Sequence, residues 1–229
     1  MAYNAALHMP SVPSSNGSYP ENPVLARVWR GAWIESQHRG AWVMVDSAGG
    51  VLDGAGSLEA PVFARSSIKS LQALPLCETG AADELGWSDA ELALALASHN
   101  AESCHTDPVR RLLERLDLSV SDLQCGPQFP GDPAARAALA AAGEAPSALH
   151  NNCSGKHAGF LGLARHLGAP PAHYLDVESP GQRLVHDAVA EMTGVARADL
   201  GVSIDGCSAP SFRLPLRSLA TAIARVANQ

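Results

Sequence analysis

Lysine is nearly absent from this chain. Two stand among 229 residues, Lys69 and Lys156, against 14 arginines. A coding bias toward arginine explains the preference, and the two lysines that remain stand out for it. An ammonium can lose its proton near neutral pH when desolvated, and a guanidinium cannot. No run of eighteen apolar residues occurs, so no membrane span is expected. No basic segment followed by an apolar run opens the chain, which argues against a secretory signal. No Lys/Arg block occurs and the formal charge is −7, which argues against nucleic acid as a partner. The five cysteines are an odd number, which fits free thiols in a reducing cytoplasm better than a disulfide framework.

What is present reads as strands first and helices after. Residues 1–22 are rich in Pro, Ser, Asn and Gly and read as a flexible leader. Residues 24–30, 32–36, 41–45 and 51–52 read as an antiparallel meander with a turn over 37–40. The helical segments expected next are 66–78, 89–98 behind a Ser88/Glu91 capping box, one opened by Thr106-Asp107-Pro108, 133–142, 155–167, 180–193 and 214–227. A short buried strand is expected at 201–205. This order implies an α+β fold and speaks against a doubly wound parallel sheet.

Three clusters carry candidate chemistry. In Ser66-x-x-Lys69 a hydroxyl and an amine share one helical face, an arrangement that activates a serine when the lysine is neutral. The competing reading is an N-cap serine beside a solvated lysine. With 22 serines in the chain, a lysine has one at i−3 by chance about one time in ten, so the spacing alone decides nothing. Ser98-His99-Asn100 ends an Ala/Leu-rich helix, and His99 or His105 offers a base. Cys153-Ser154-Gly155-Lys156-His157, with Asp205-Gly206-Cys207, offers a lowered-pKa thiol, part of a metal site or an ordinary buried thiol. It is not a phosphate-binding loop, because Gly155-Lys156 is followed by histidine and the upstream glycine is missing.

Taken together, Arg65 to Lys69, Ala97 to Asn100, Leu149 to His157 and Ile204 to Cys207 resemble the asparaginase II family, the class 3 or rhizobial-type L-asparaginases. The resemblance covers residues 23–229 as a catalytic domain. It implies a fold like the serine β-lactamases and penicillin-binding proteins, an antiparallel sheet flanked by helices. It implies hydrolysis of L-asparagine to L-aspartate and ammonia. Carried over by motif, Ser66 is the nucleophile, Lys69 its base and Ser98 a second active-site serine. Arg65 and Asp205 bind substrate, and Cys153, Lys156 and Cys207 hold zinc. A homodimer is implied as well. Family members are longer by about a third, and the chain looks like the N-terminal two-thirds of one. A second lysine, which pairs with Ser98 in the family, is then missing, and low amidase activity is expected of residues 1–229 alone. The alternatives are another serine amidase, such as a glutaminase, and a zinc- or amino-acid-binding relative without catalysis.

Overall fold

The computed structural model describes residues 21–228. The expected leader, residues 1–22, lies outside them except for Glu21 and Asn22. Strand β1 (Val24–Arg30) pairs antiparallel with β2 (Trp33–Arg39), and Gly31 at φ +61° admits the tight turn between them. Strand β3 (Trp42–Val45) pairs with β4 (Val51–Ala55). Asp46 closes that hairpin by accepting Ala48 N–H at 2.9 Å and Gly50 N–H at 2.8 Å. The expected meander is therefore two separate two-stranded sheets. The expected turn over 37–40 is corrected as well, because β2 runs on to Arg39.

A third sheet joins the two ends of the described chain. Strands β5 (Pro61–Phe63), β6 (Gly201–Ile204) and β7 (Pro210–Pro215) lie in the order β5-β7-β6, all antiparallel. Strand β7 is the central one, and sequence reading placed no strand there. Its prolines stand at both ends, which explains the omission and also why the ladder tolerates them.

Among the described residues seven α-helices lie between β5 and β6 and an eighth follows β7: α1 (Lys69–Glu78), α2 (Ala81–Glu84), α3 (Asp89–Leu96), α4 (Ser103–Arg115), α5 (Pro133–Ala141), α6 (Ser154–His166), α7 (Pro180–Thr193) and α8 (Leu216–Ala227). The capping box forms as read: Ser88 Oγ accepts Glu91 N–H, and Glu91 Oε2 accepts Ser88 N–H at 2.9 Å. Arg115 grips both oxygens of Glu91 and ties α4 to α3. Helix α4 corrects one expectation, since it starts at Ser103 and carries Pro108 inside. Helix α6 is the axis of the core. Every residue from Ser154 to Ala164 is buried, and α1, α3, α4 and α7 pack around it. Strands plus this helical layer make the molecule α+β.

Candidate active site

The β5–β7 ladder ends with Ala64 N–H on Phe212 C=O, 3.0 Å. The chain then turns sharply. Arg65 sits at φ +49°, a conformation costly for an arginine, and opens the 3-10 turn Arg65–Ile68 that leads into α1. In a 3-10 turn residues three apart eclipse, so Ser66 and Lys69 lie on one side. Ser66 is exposed, and its hydroxyl has no hydrogen-bond partner among the described residues. Lys69 is 1% exposed. Its Nζ donates to Ala97 C=O at 3.1 Å and to Ser98 Oγ at 2.8 Å. Burial holds the Lys69 amine below its ordinary pKa, with the nearby Lys156 charge acting in the same direction and the Cys153 thiol opposing. Lys69 thus reaches Ser98 from 29 residues away. A neutral Lys69 that donates both protons to these acceptors keeps a free lone pair.

The loop carrying Ser98 is tied down by His99. Its backbone N–H donates to Asn152 C=O at 3.2 Å. Its Nδ1 accepts Ala101 N–H at 3.1 Å, so Nε2 carries the proton and donates to Ser154 Oγ at 2.9 Å. Ala101, at φ +63°, takes a left-handed conformation beneath this bond. Burial first, then the charges of His105 and Lys69, push the His99 pKa down to about 4. With one nitrogen accepting and the other donating, His99 has no basic site left, which corrects its reading as a base. His105 stacks on it with ring centroids 5.3 Å apart.

Cys153, Lys156 and Cys207 converge although 54 residues separate the first from the last. Asn151 places Cys153: its Oδ1 accepts Cys153 N–H at 2.9 Å, and its Nδ2 donates to Cys125 C=O at 2.9 Å. Lys156 Nζ donates to Cys207 Sγ at 3.2 Å. The two thiols influence each other, which holds the Cys153 pKa above and the Cys207 pKa below the ordinary thiol value. His157, the Lys156 ammonium and the Ala209 N–H lower Cys207 further. All five cysteines are free. Among the described residues no group of three His, Cys, Asp or Glu is placed to hold a metal. The set expected here includes a lysine, and its two sulfurs and one amine suit a borderline-soft ion such as zinc.

Arg65 and Asp205 close the site. Their side chains meet at 3.3 Å, with Asp205 largely covered and Arg65 open to solvent. Gly206 N–H also donates to Asp205 Oδ1 at 2.8 Å. Ser66, Arg65, Cys153, Asp205 and Cys207 line one cleft of about 260 Å3, with Asn151 beside them. Ser98 stands outside that lining, joined to it through Lys69.

A profile of the family described as L-asparaginase II matches residues 26–229, which takes in every one of these side chains. The chain belongs to the L-asparaginase II family. Among curated proteins, none matches it. Membership makes this chain an amidohydrolase relative with a small-molecule substrate. No helix among the described residues is long and apolar enough to cross a membrane. Sequence reading gave no role to several residues that pack against these side chains. Ser154 and His157 stood inside the quoted Leu149-to-His157 motif, and only contacts give them roles. Tyr174 pairs with His157 at 2.6 Å.

Proposed function

We propose that the chain hydrolyses the side-chain amide of L-asparagine to L-aspartate and ammonia, on a fold of the serine β-lactamase type. The observation that carries this reading is the cleft in which the unpaired Ser66 hydroxyl meets the Arg65–Asp205 pair, in a chain of the L-asparaginase II family. The β5-β7-β6 sheet with Ser66-x-x-Lys69 at the entry to a buried helix supports the fold assignment.

In this reading Ser66 Oγ attacks the amide carbon and forms a bond to it. Its proton goes to the free lone pair of Lys69 Nζ and from there to the leaving nitrogen, so that ammonia departs. The lowered Lys69 pKa suits that exchange. Ser98, held by Nζ, keeps the amine oriented. Asp205 holds the ammonium of the substrate and Arg65 its carboxylate. Water then releases aspartate from the acyl-enzyme. Cys153, Lys156 and Cys207 would hold a zinc ion, which would serve to position the substrate beside Asp205.

The test is ammonia release from L-asparagine and from L-glutamine by the protein and its Ser66→Ala variant. Low release from asparagine is expected of residues 1–229, and its loss to background in the variant. Unchanged turnover in Ser66→Ala overturns the assignment. One observation favours a second reading: Lys69 Nζ touches Ser98 Oγ, 2.8 Å, and makes no hydrogen bond to Ser66. If Ser98→Ala abolishes acylation while Ser66→Ala retains it, Ser98 is the nucleophile. Zinc removal by a chelator is expected to raise KM and leave kcat within about threefold, because the ion acts on binding.

A further inference from the structure

The cleft that holds Ser66 has a wall that the chemistry above does not use. Of the side chains that line it, Arg65 and Asp205 are a cation and an anion, and three are neutral amides: Gln128, Asn151 and Asn152. Asn151 is committed to structure. It is buried, its Nδ2 donates to Cys125 C=O at 2.9 Å and to Gly126 C=O at 3.2 Å, and its Oδ1 accepts Cys153 N–H. These bonds hold the start of the loop that carries Gln128 against the entry to α6. Gly126, at φ +75°, turns that loop. Its far end is held by Asp132 N–H, which donates at 3.1 Å to Asn100 C=O, in the loop that carries Ser98. Gln128 therefore stands on a short span fixed at both ends.

The carboxamide of Gln128 is half-buried and mostly unengaged. Its Oε1 accepts Asn152 N–H at 3.5 Å, the outer limit of a hydrogen bond, and its Nε2 has no partner among the described residues. Asn152 is pinned through its backbone, since its C=O accepts His99 N–H at 3.2 Å. A carbonyl oxygen has two lone pairs, so Oε1 can keep Asn152 and accept a second donor while Nε2 donates. A donor and an acceptor side by side complement a primary amide head to tail. A carboxylate matches only half of that pattern. One of its oxygens can take Nε2–H, but the other then meets Oε1, acceptor against acceptor.

We propose that Gln128 reads the side-chain carboxamide of the substrate, pairing with it edge to edge and selecting amide over carboxylate. The inference rests on the asparagine reading above. In that reading the ammonium and carboxylate of the substrate go to Asp205 and Arg65. The group left over is a neutral amide, and Gln128 meets it without burying an unmatched charge. Hydrogen bonds to an amide lie near its plane, so the pair leaves both faces of the carbonyl carbon open to a hydroxyl such as that of Ser66. After hydrolysis the same subsite faces a carboxylate that fits it poorly, which favours departure of aspartate. Gln128 is thus a specificity residue, and no proton passes through it.

The test is isothermal titration calorimetry on the full chain carrying Ser66→Ala, which binds L-asparagine without turnover. The ligands are L-asparagine, L-aspartate and L-2-aminobutyrate, which has both charges but no carboxamide. L-Asparagine is expected to bind more tightly than L-aspartate. Gln128→Leu is expected to reduce that preference about tenfold and to leave L-2-aminobutyrate unchanged. Gln128→Glu keeps an acceptor for Asn152 N–H and loses the donor. It is expected to weaken L-asparagine with the loop in place, and L-aspartate more, because like charges then meet. A preference unmoved in Gln128→Leu, or L-aspartate bound as tightly as L-asparagine by the parent, overturns the proposal and leaves the asparagine reading standing. Equal losses for all three ligands mean that Gln128 serves the loop alone, which also overturns it. A preference moved by Asn152→Ala and not by Gln128→Leu assigns the amide to Asn152 instead. If none of the three binds, the asparagine reading fails and this inference with it.

Discussion

His99 shows how one residue organises chemistry it does not perform. Its three bonds fix the loop that presents Ser98 to Lys69 and clamp that loop to the start of α6. Only the neutral ring can make this pattern, since Nδ1 must accept. The folded pKa is pushed down to about 4 from the ordinary 6.5. In the unfolded chain the ring takes up its proton as pH falls through about 6.5, while the folded ring resists until about 4. The folded state therefore loses stability as pH falls across that window and holds its full contribution above it. His157 and His186 are lowered too, by burial first in each case, and add to the slope with the same sign. Melting temperature measured from pH 7.5 to 4 is expected to fall steadily below about pH 6.5. His99→Gln is expected to lower the melting temperature at pH 7.5 and to flatten that fall. A variant with an unchanged pH slope would show that His99 is not the group responsible. The histidine was visible in the sequence beside Ser98. The bonds that remove its basicity reach Ser154, 55 residues away, and no spacing rule reports them. Lys69 and Ser98 teach the same lesson: both lie in family motifs, but their pairing exists only after α1 and α3 are packed.

Helix α6 is held close by what its glycines leave out. A methyl group at Gly155 would come within 2.3 Å of the Leu94 carbonyl oxygen in α3, a contact that backbone cannot relieve. At Gly159 the neighbour is the Ala95 methyl at 3.1 Å, and at Gly162 the Trp87 ring at 3.1 Å. Gly181, near the start of α7, meets only Leu163 at an ordinary 3.5 Å. Gly155→Ala is therefore expected to destabilise by about 3 kcal/mol or more, through backbone displacement in a packed core. It should also disturb Lys156, the next residue. Gly181→Ala is expected to be neutral or stabilising by up to about 1 kcal/mol, because the helix gains from alanine. Urea unfolding of the two variants checks both signs; equal losses would mean that the α3–α6 contact is not limiting. Elements with local punctuation were legible from sequence. Helix α7 runs from Pro180 to Thr193 as read, because Ser179, Pro180 and Gly194 mark its ends. The start of α4 was misplaced because Thr106-Asp107-Pro108 imitates a helix entry. Strand β7 was missed because its partners are β5 and β6, and Val62 meets Leu214 across 152 positions.

Across the whole molecule the apolar surface is uneven. The helical side buries its large residues, with α6 at the centre. The sheet side does not: Trp33 is 80% exposed, Leu52 63%, Ile204 59% and Trp29 57%, and all four stand on strands. Strands β5 and β6 are the outer strands of their sheet, which leaves backbone groups free to pair. Composition gave the coarse α+β order, while the division into three small sheets depends on register between distant segments. A surface of this kind is an interaction surface or an aggregation hazard. The homodimer implied by family resemblance would use it most economically as a two-fold contact, in which each residue acts twice. Burying one large apolar side chain contributes about 2 kcal/mol, so Trp33→Arg removes roughly 4 kcal/mol across such a contact. That corresponds to a dissociation constant weaker by about 10^3-fold. Sedimentation velocity over a hundredfold range of concentration is expected to show association of the parent chain and a monomer for the variant. The variant should also bind less of a fluorescent apolar probe, while its helical circular dichroism stays unchanged because Trp33 lies outside the core. A parent chain that stays monomeric throughout, or a variant that associates equally well, would remove the sheet side as the contact.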